Sequence, residues 1–346
     1  MSPIRARADG INTVEDRQRL VGSPLLRLEG SMRVMFAALA LLAACQSTPE
    51  APAEPPPPFT LVDLTQEYSA FYDRTQGMES AARVEAFKAE MAPLFPGFYD
   101  TERVRAFATA EVYNGLVAHS FERFAALRPA YETTAASFEA MLAPARADFM
   151  RTFPDLAPIG DIYLIHSVGE MDGGIRTIAG KRYMVFGADV MARLYAPGDE
   201  RPFFQHELFH VYQAQFFEAC DEVWCALWRE GLAVYVSEQL NPGATDAQMG
   251  LVMPRPIRPE VDANLPAAVC AVRERLGSDA RDDYAPIFLG QASLDGLPPR
   301  FGYYVGYLVA REAGRTRTLQ ELAHMRARDA RGVVEAALQS LASCES

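Results

Sequence analysis

An HExxH pentapeptide, His206-Glu207-Leu208-Phe209-His210, followed by Glu230 in Trp228-Arg229-Glu230-Gly231-Leu232-Ala233, constrains this chain more than any other feature. The two imidazoles converge on one ion only if the segment is helical. Four positions apart they are rotated by about 40° and offset by about 6 Å along the axis, so both rings leave the same face. Glu207 projects roughly 100° away from His206, towards the side where a metal-bound water sits. Catalytic zinc usually takes three protein ligands and keeps one open position, and Glu230 is the candidate third ligand. Zinc lowers the pKa of its bound water towards about 7, and a carboxylate beside it can take the proton and pass it to a leaving amine. The pattern predicts one Zn2+ held by His206, His210 and Glu230, with Glu207 as general base.

The surrounding periodicity places these residues on helices. Residues 202–217 form an amphipathic pattern with Pro202 in the first turn and Phe204, Leu208, Val211 and Tyr212 in one stripe. A second helix is predicted over 227–239, closed by Asn241-Pro242-Gly243, with Glu230 in its first turn. Upstream, helical periodicity runs through 81–95, 101–124 and 131–149, with breaks predicted near Pro96-Gly97 and at Pro129. Strands are predicted at 162–165 and 182–186, flanking the glycine-containing segment 172–177. Beyond Asn241 an irregular stretch, 242–266, precedes helices at 267–276, 301–313 and 319–341. The expected class is α+β, mainly α, with a small mixed sheet. Three regions are expected: a helical one at 59–153, a catalytic core at 154–241 and a second helical one at 242–346.

HELFH with a downstream W-x-E-G-x-A helix resembles the gluzincin zinc metallopeptidases, the clan of thermolysin and the membrane alanyl aminopeptidases. That resemblance implies a zincin-like core, the same three zinc ligands, and Glu207 as the base. One position departs from the pattern. Thermolysin-like enzymes carry an acid four residues after the third ligand, where it orients a histidine, and this chain has Val234 there. Aminopeptidases of the clan also use a later tyrosine to stabilise the oxyanion; Tyr303, in Gly302-Tyr303-Tyr304-Val305-Gly306-Tyr307, is the candidate, with Tyr304 as its substitute and helix packing as the alternative. Gluzincins place an edge strand above the zinc, to which an extended substrate adds. Gly173, Gly174 and Ile175 are the candidates for it, against an ordinary hairpin turn through the two glycines. The order of motifs from about Phe59 onward is similar to that of bacterial predicted zinc-dependent protease lipoproteins of unknown substrate.

The N-terminal residues suggest a location. Met32-Arg33, an apolar run over 34–44 and Leu42-Ala43-Ala44-Cys45 read as a signal peptide ending in a lipobox, which resembles bacterial lipoproteins and makes Cys45 the expected acylated residue. Residues 1–31 carry Asp9, Glu15, Asp16 and Glu29, unsuited to a leader, so Met32 is the expected start. Gln46, not aspartate, follows the cysteine, which favours the outer membrane facing the periplasm. Prolines from Pro49 to Pro58 make 46–58 an extended tether. The lipid anchor is then the only membrane contact, since the apolar run is too short to span a bilayer.

Removing residues 1–45 takes six arginines and four acidic residues from totals of 33 and 45, leaving 27 against 41 and a net charge of −14. Such a surface opposes nucleic acid. Only two lysines occur, Lys88 and Lys181, which argues against lysine-nucleophile chemistry. Four cysteines remain, an even number in an oxidising compartment. The most economical pairing is Cys220 with Cys225 and Cys270 with Cys344, although three pairings are conceivable and thiolate zinc ligands are the functional alternative. His119, His166 and His324 lack partners at metal spacing and read as structural. The expected function is zinc-dependent hydrolysis of a peptide or protein. Its rivals are a non-catalytic envelope lipoprotein that binds a partner and a zinc amidase acting on cell-wall peptide.

Overall fold

A four-stranded mixed sheet and thirteen helices are built from residues 59–344, which the computed structural model describes except for 96, 105–107, 196–199 and 291. The leader, Cys45, the proline tether and Pro96 lie outside the described residues. In chain order the elements are β1 (Thr60–Asp63), α1 (Thr65–Thr75), α2 (Ser80–Glu90), a 3-10 turn (Ala92–Leu94), α3 (Thr101–Val104) and α4 (Ala110–Thr152). Then come β2 (Asp161–Ile165), β3 (Gly173–Ile178), β4 (Lys181–Gly187), α5 (Ala188–Leu194), α6 (Arg201–Gln213) and α7 (Val223–Leu240). The remainder is α8 (Arg258–Ala263), α9 (Leu265–Arg275), α10 (Arg281–Phe288), α11 (Phe301–Ala313), α12 (Leu319–Ala323) and α13 (Ala327–Leu341). The class is α+β and mainly helical.

Strand order is β1-β2-β4-β3, with β1, β2 and β4 parallel and β3 antiparallel on the edge. The β3-β4 hairpin closes through Ala179 and Gly180, both at positive φ (49° and 78°), as a two-residue primed turn requires. Gly173 and Gly174 therefore do not make the hairpin turn; they open the edge strand. β1 is not legible in the sequence, because two partly buried apolar residues between exposed polar ends are too short to outweigh the helical pattern that follows.

Helix α4 corrects the expected break at Pro129. It runs unbroken for 43 residues through Pro129 and Pro144. A proline inside a helix costs about 3 kcal/mol or more. Here Phe121, Phe124, Tyr131, Thr134, Phe138 and Leu142 are all buried on the two sides of Pro129, and their burial holds the axis together. Conversely, the helix expected over 319–341 is two: α12 starts with a Thr318/Glu321 capping box and stops at His324. The stretch 242–266 also contains helix, since α8 occupies Arg258–Ala263 and α9 begins at Leu265, and α10 was not anticipated.

The helix carrying Glu230 is α7. It begins four residues earlier than the spacing suggested, so Glu230 lies two turns inside it, not in the first turn. Almost every side chain from Val223 to Ser237 is buried, as befits a helix that is apolar all round. It packs against α6 on one side and α11 on the other, with α13 and α12 beyond.

Candidate metal centre

Helix α6 starts with Pro202 in its first turn and buries Phe203, Phe204, Leu208, Phe209 and Tyr212. The core thus takes one face, and His206 and His210 emerge on the other side. Two hydrogen bonds fix α7 on α6: Ser237 Oγ donates to the Pro202 carbonyl at 2.6 Å, and Asn241 Nδ2 donates to Gln205 Oε1 at 2.5 Å. Near the other end the Cys220–Cys225 disulfide ties the first turn of α7 to the α6-α7 connection. Glu230 is held between these two restraints.

The result is a triangle of donors. His206 Nε2 and His210 Nε2 are 3.0 Å apart, and Glu230 Oε2 lies 3.6 Å from the first and 3.3 Å from the second. Ligands at about 2.05 Å around a tetrahedral ion have edges of about 3.3 Å, so the three donors already span one face of that tetrahedron. Their side chains are 14%, 21% and 16% exposed, so the triangle is sheltered yet reachable. Among the described residues this is the one group of His, Cys, Asp or Glu side chains able to hold a metal ion. Val234 is buried in the core, and the only carboxylate within ion-pair distance of either imidazole, among the described residues, is Glu230.

Charge in the triangle is strongly coupled. Burial opposes ionisation of Glu230, but the two histidines outweigh it and hold the carboxyl well below its usual range. Burial also lowers His206, while at His210 the neighbouring Glu230 overcomes burial and leaves the imidazole raised.

Glu207 is buried beside the triangle, 8% exposed, and burial pushes its carboxyl up to about 8. A dication next to it would act in the opposite sense and favour the carboxylate. Edge strand β3 passes directly over it. A Cβ placed on Gly174 would stand 3.5 Å from Glu207 Oε2, and one on Gly173 would overlap the ring of Phe203, one turn before the histidines. Gly174 also has φ 138°, which disfavours any side chain. The glycines let backbone approach carboxylate and α6 more closely than another residue would allow.

Of the two tyrosines weighed for the oxyanion role, only Tyr303 faces this site. The Tyr304 hydroxyl donates to Asp262 at 2.8 Å, away from the triangle. Tyr303 sits under the Arg300 guanidinium, 4.5 Å from its ring centroid; burial first, and then the charge of Glu230, raise its hydroxyl pKa. Asp172 and Tyr195 complete this wall, with the Tyr195 hydroxyl donating to Asp172 Oδ2 at 2.9 Å. Neither was anticipated, nor was Arg300. All three are distant in sequence from the motif, and no local spacing marks them.

The remaining histidines lie elsewhere. His119 pairs with Glu122 at 3.1 Å on the surface of α4, and His324 meets the Tyr212 hydroxyl at 2.6 Å. His166 stacks on Tyr68 inside the core, with centroids 3.6 Å apart. Both disulfides, Cys220–Cys225 and Cys270–Cys344, follow the economical pairing, so none of these four cysteines offers a thiolate to a metal. Comparison with protein-family models, with curated proteins and with solved structures finds no match.

Proposed function

We propose that this protein is a zinc-dependent peptide-bond hydrolase with a zincin-like, gluzincin-type core, carried as a lipid-anchored lipoprotein of the bacterial envelope. One observation carries the reading. Three donors at tetrahedral-edge spacing stand beside a buried carboxylate beneath a glycine-opened edge strand.

His206, His210 and Glu230 would hold Zn2+, which when bound supplies a Lewis acid for the scissile carbonyl and an acidified water. The chain's own residues do the rest. Strand β3 offers unpaired backbone groups to an extended peptide, and Gly173, Gly174 and Ile175 bring that peptide within reach of Glu207. Glu207 takes a proton from the attacking water and returns it to the leaving nitrogen. Tyr303, its hydroxyl kept protonated by burial, donates a hydrogen bond to the negative charge that develops on the carbonyl oxygen. The lipobox at Cys45 and the two disulfides support an oxidising envelope location. Among the described residues no helix is long and apolar enough to cross a membrane.

The test is Glu207→Gln, which keeps side-chain volume but removes the base. Zinc content should stay at one per chain, while kcat on cleaved peptides should fall by about 10²- to 10⁴-fold. Retained hydrolysis overturns the mechanism. Absence of zinc in the purified wild type overturns the whole reading.

A further inference from the structure

Arg300 precedes α11 in left-handed backbone, φ 63°, a conformation that costs a non-glycine residue about 1 kcal/mol or more. Its half-buried guanidinium stacks on Tyr303, and its carbonyl acceptors, Gly250 and Met253, are both at the long distance of 3.4 Å. Among the described residues no carboxylate lies within 4.0 Å of it. Some other described arginines also form no ion pair, but Arg300 and Arg229 are the two whose charge bears on Tyr303 and on His210 at the triangle, whereas Arg103 binds Glu170 at 2.6 Å and Arg258 binds Asp246 at 2.7 Å. Asp172, the acid whose charge reaches Arg300, is already engaged, with Oδ1 accepting from Gly173 N at 3.0 Å and Oδ2 from Tyr195. Arg229, next to Glu230 on α7, likewise forms no ion pair among the described residues.

Two guanidinium groups without carboxylate partners thus flank the donor triangle in a chain of net charge −12. Shielding a charge from water without a partner is costly, and a guanidinium presents five donors in a fork that matches a carboxylate.

We propose that Arg300 takes a carboxylate of the peptide substrate, either its free C-terminus or an acidic side chain, and so makes the proposed hydrolase selective for anionic peptides. The proposal rests on the peptidase reading for its substrate class but not on turnover for its test. Arg300 meets the substrate beside Tyr303 and Tyr195, and Arg229 adds positive potential beside Glu230.

The experiment measures binding on the zinc-loaded Glu207→Gln protein by calorimetry, with three probes: N-acetyl-Ala-Ala, its C-terminal amide, and N-acetyl-Asp-Ala amide. One of the two acidic probes should bind at least about tenfold more tightly than the neutral amide, the increment of a charge-assisted hydrogen bond. Which of them does so separates C-terminus from side chain. Adding Arg300→Gln should erase the difference. Arg300→Lys keeps the charge but not the fork, should retain part of the preference, and serves if the glutamine variant folds poorly. Equal affinity for all three probes, no binding of any, or an equal loss for all in the Arg300 variants overturns the proposal. Zinc content and wild-type hydrolysis, measured in parallel, report separately on the peptidase reading.

Discussion

His166 shows how a single buried side chain can couple this fold to pH. Its ring lies flat on Tyr68, is almost fully buried, and neither ring nitrogen has a hydrogen-bond partner among the described residues. Asp189 Oδ2 is 4.0 Å away, and burial outweighs its charge, lowering the imidazole to about 4. Above pH 6.5 neither folded nor unfolded chain protonates this histidine, so it costs nothing there. Below 6.5 the unfolded chain takes up a proton that the folded one refuses until about pH 4, so stability falls as pH falls through that window, by about 1.4 kcal/mol per unit. We expect the wild type to lose about 2 kcal/mol from this group between pH 6.5 and 5, and His166→Phe to lack that loss. Urea unfolding of both at the two pH values checks it, because His206, His210 and Glu230 titrate alike in each; parallel losses would refute the assignment. The residue scale also shows what the sequence could reveal. His206, Glu207 and His210 are legible because helix geometry alone sets their relative directions, and Glu230 because it lies on the next amphipathic segment. Arg300, Asp172 and Tyr195 reach the same place through the sheet, two loops and a third helix, which no local spacing encodes.

At the scale of elements, the position of Glu230 depends on two glycines. A Cβ at Gly231 would overlap the backbone of Gly306, and one at Gly306 would overlap the Leu227 carbonyl, so α7 and α11 touch backbone to backbone one residue from Glu230. The segments Glu230-Gly231-Leu232-Ala233 and Gly302-Tyr303-Tyr304-Val305-Gly306-Tyr307 thereby acquire a shared physical meaning: each supplies one glycine of a single crossing. Gly306→Ala should force the helices apart, cost about 3 kcal/mol, and weaken zinc binding through displacement of Glu230. Gly332→Ala on α13 is the matched control, since no atom lies within 4 Å of the added methyl, and it should stabilise by about 0.5–1 kcal/mol. Thermal melts and zinc titration of the two variants decide the matter, and unchanged zinc affinity in Gly306→Ala would disconnect the crossing from the site. Element boundaries were less legible than element types. Apolar periodicity located α6, α7 and α11, but it could not show that tertiary burial carries α4 through Pro129 or that α13 starts afresh after His324.

At the scale of the molecule, residues on both sides of the site-bearing segment share one apolar core with it. β1 pairs with β2, α4 packs on α6, and α11 and α13 pack on α7. The two disulfides act on this assembly at different ranges. Cys270–Cys344 joins α9 to the segment after α13 across 74 residues, whereas Cys220–Cys225 spans five beside α7. Loop-closure entropy makes the long link worth about 4 kcal/mol and the short one about 2. Replacing Cys270 and Cys344 together by serine should lower the melting temperature by roughly 10 °C, because it frees the chain end that covers α7 and α11, yet leave zinc affinity near wild type. Replacing Cys220 and Cys225 should do the reverse: a smaller shift in melting, but a weaker hold on zinc, since the loosened connection is the one that sets Glu230 against His206 and His210. Calorimetric melts and competitive zinc titration of the two double variants separate global from local restraint. If both lower zinc affinity equally, the short disulfide has no special role in placing Glu230, and the geometry of the triangle is a property of the whole core.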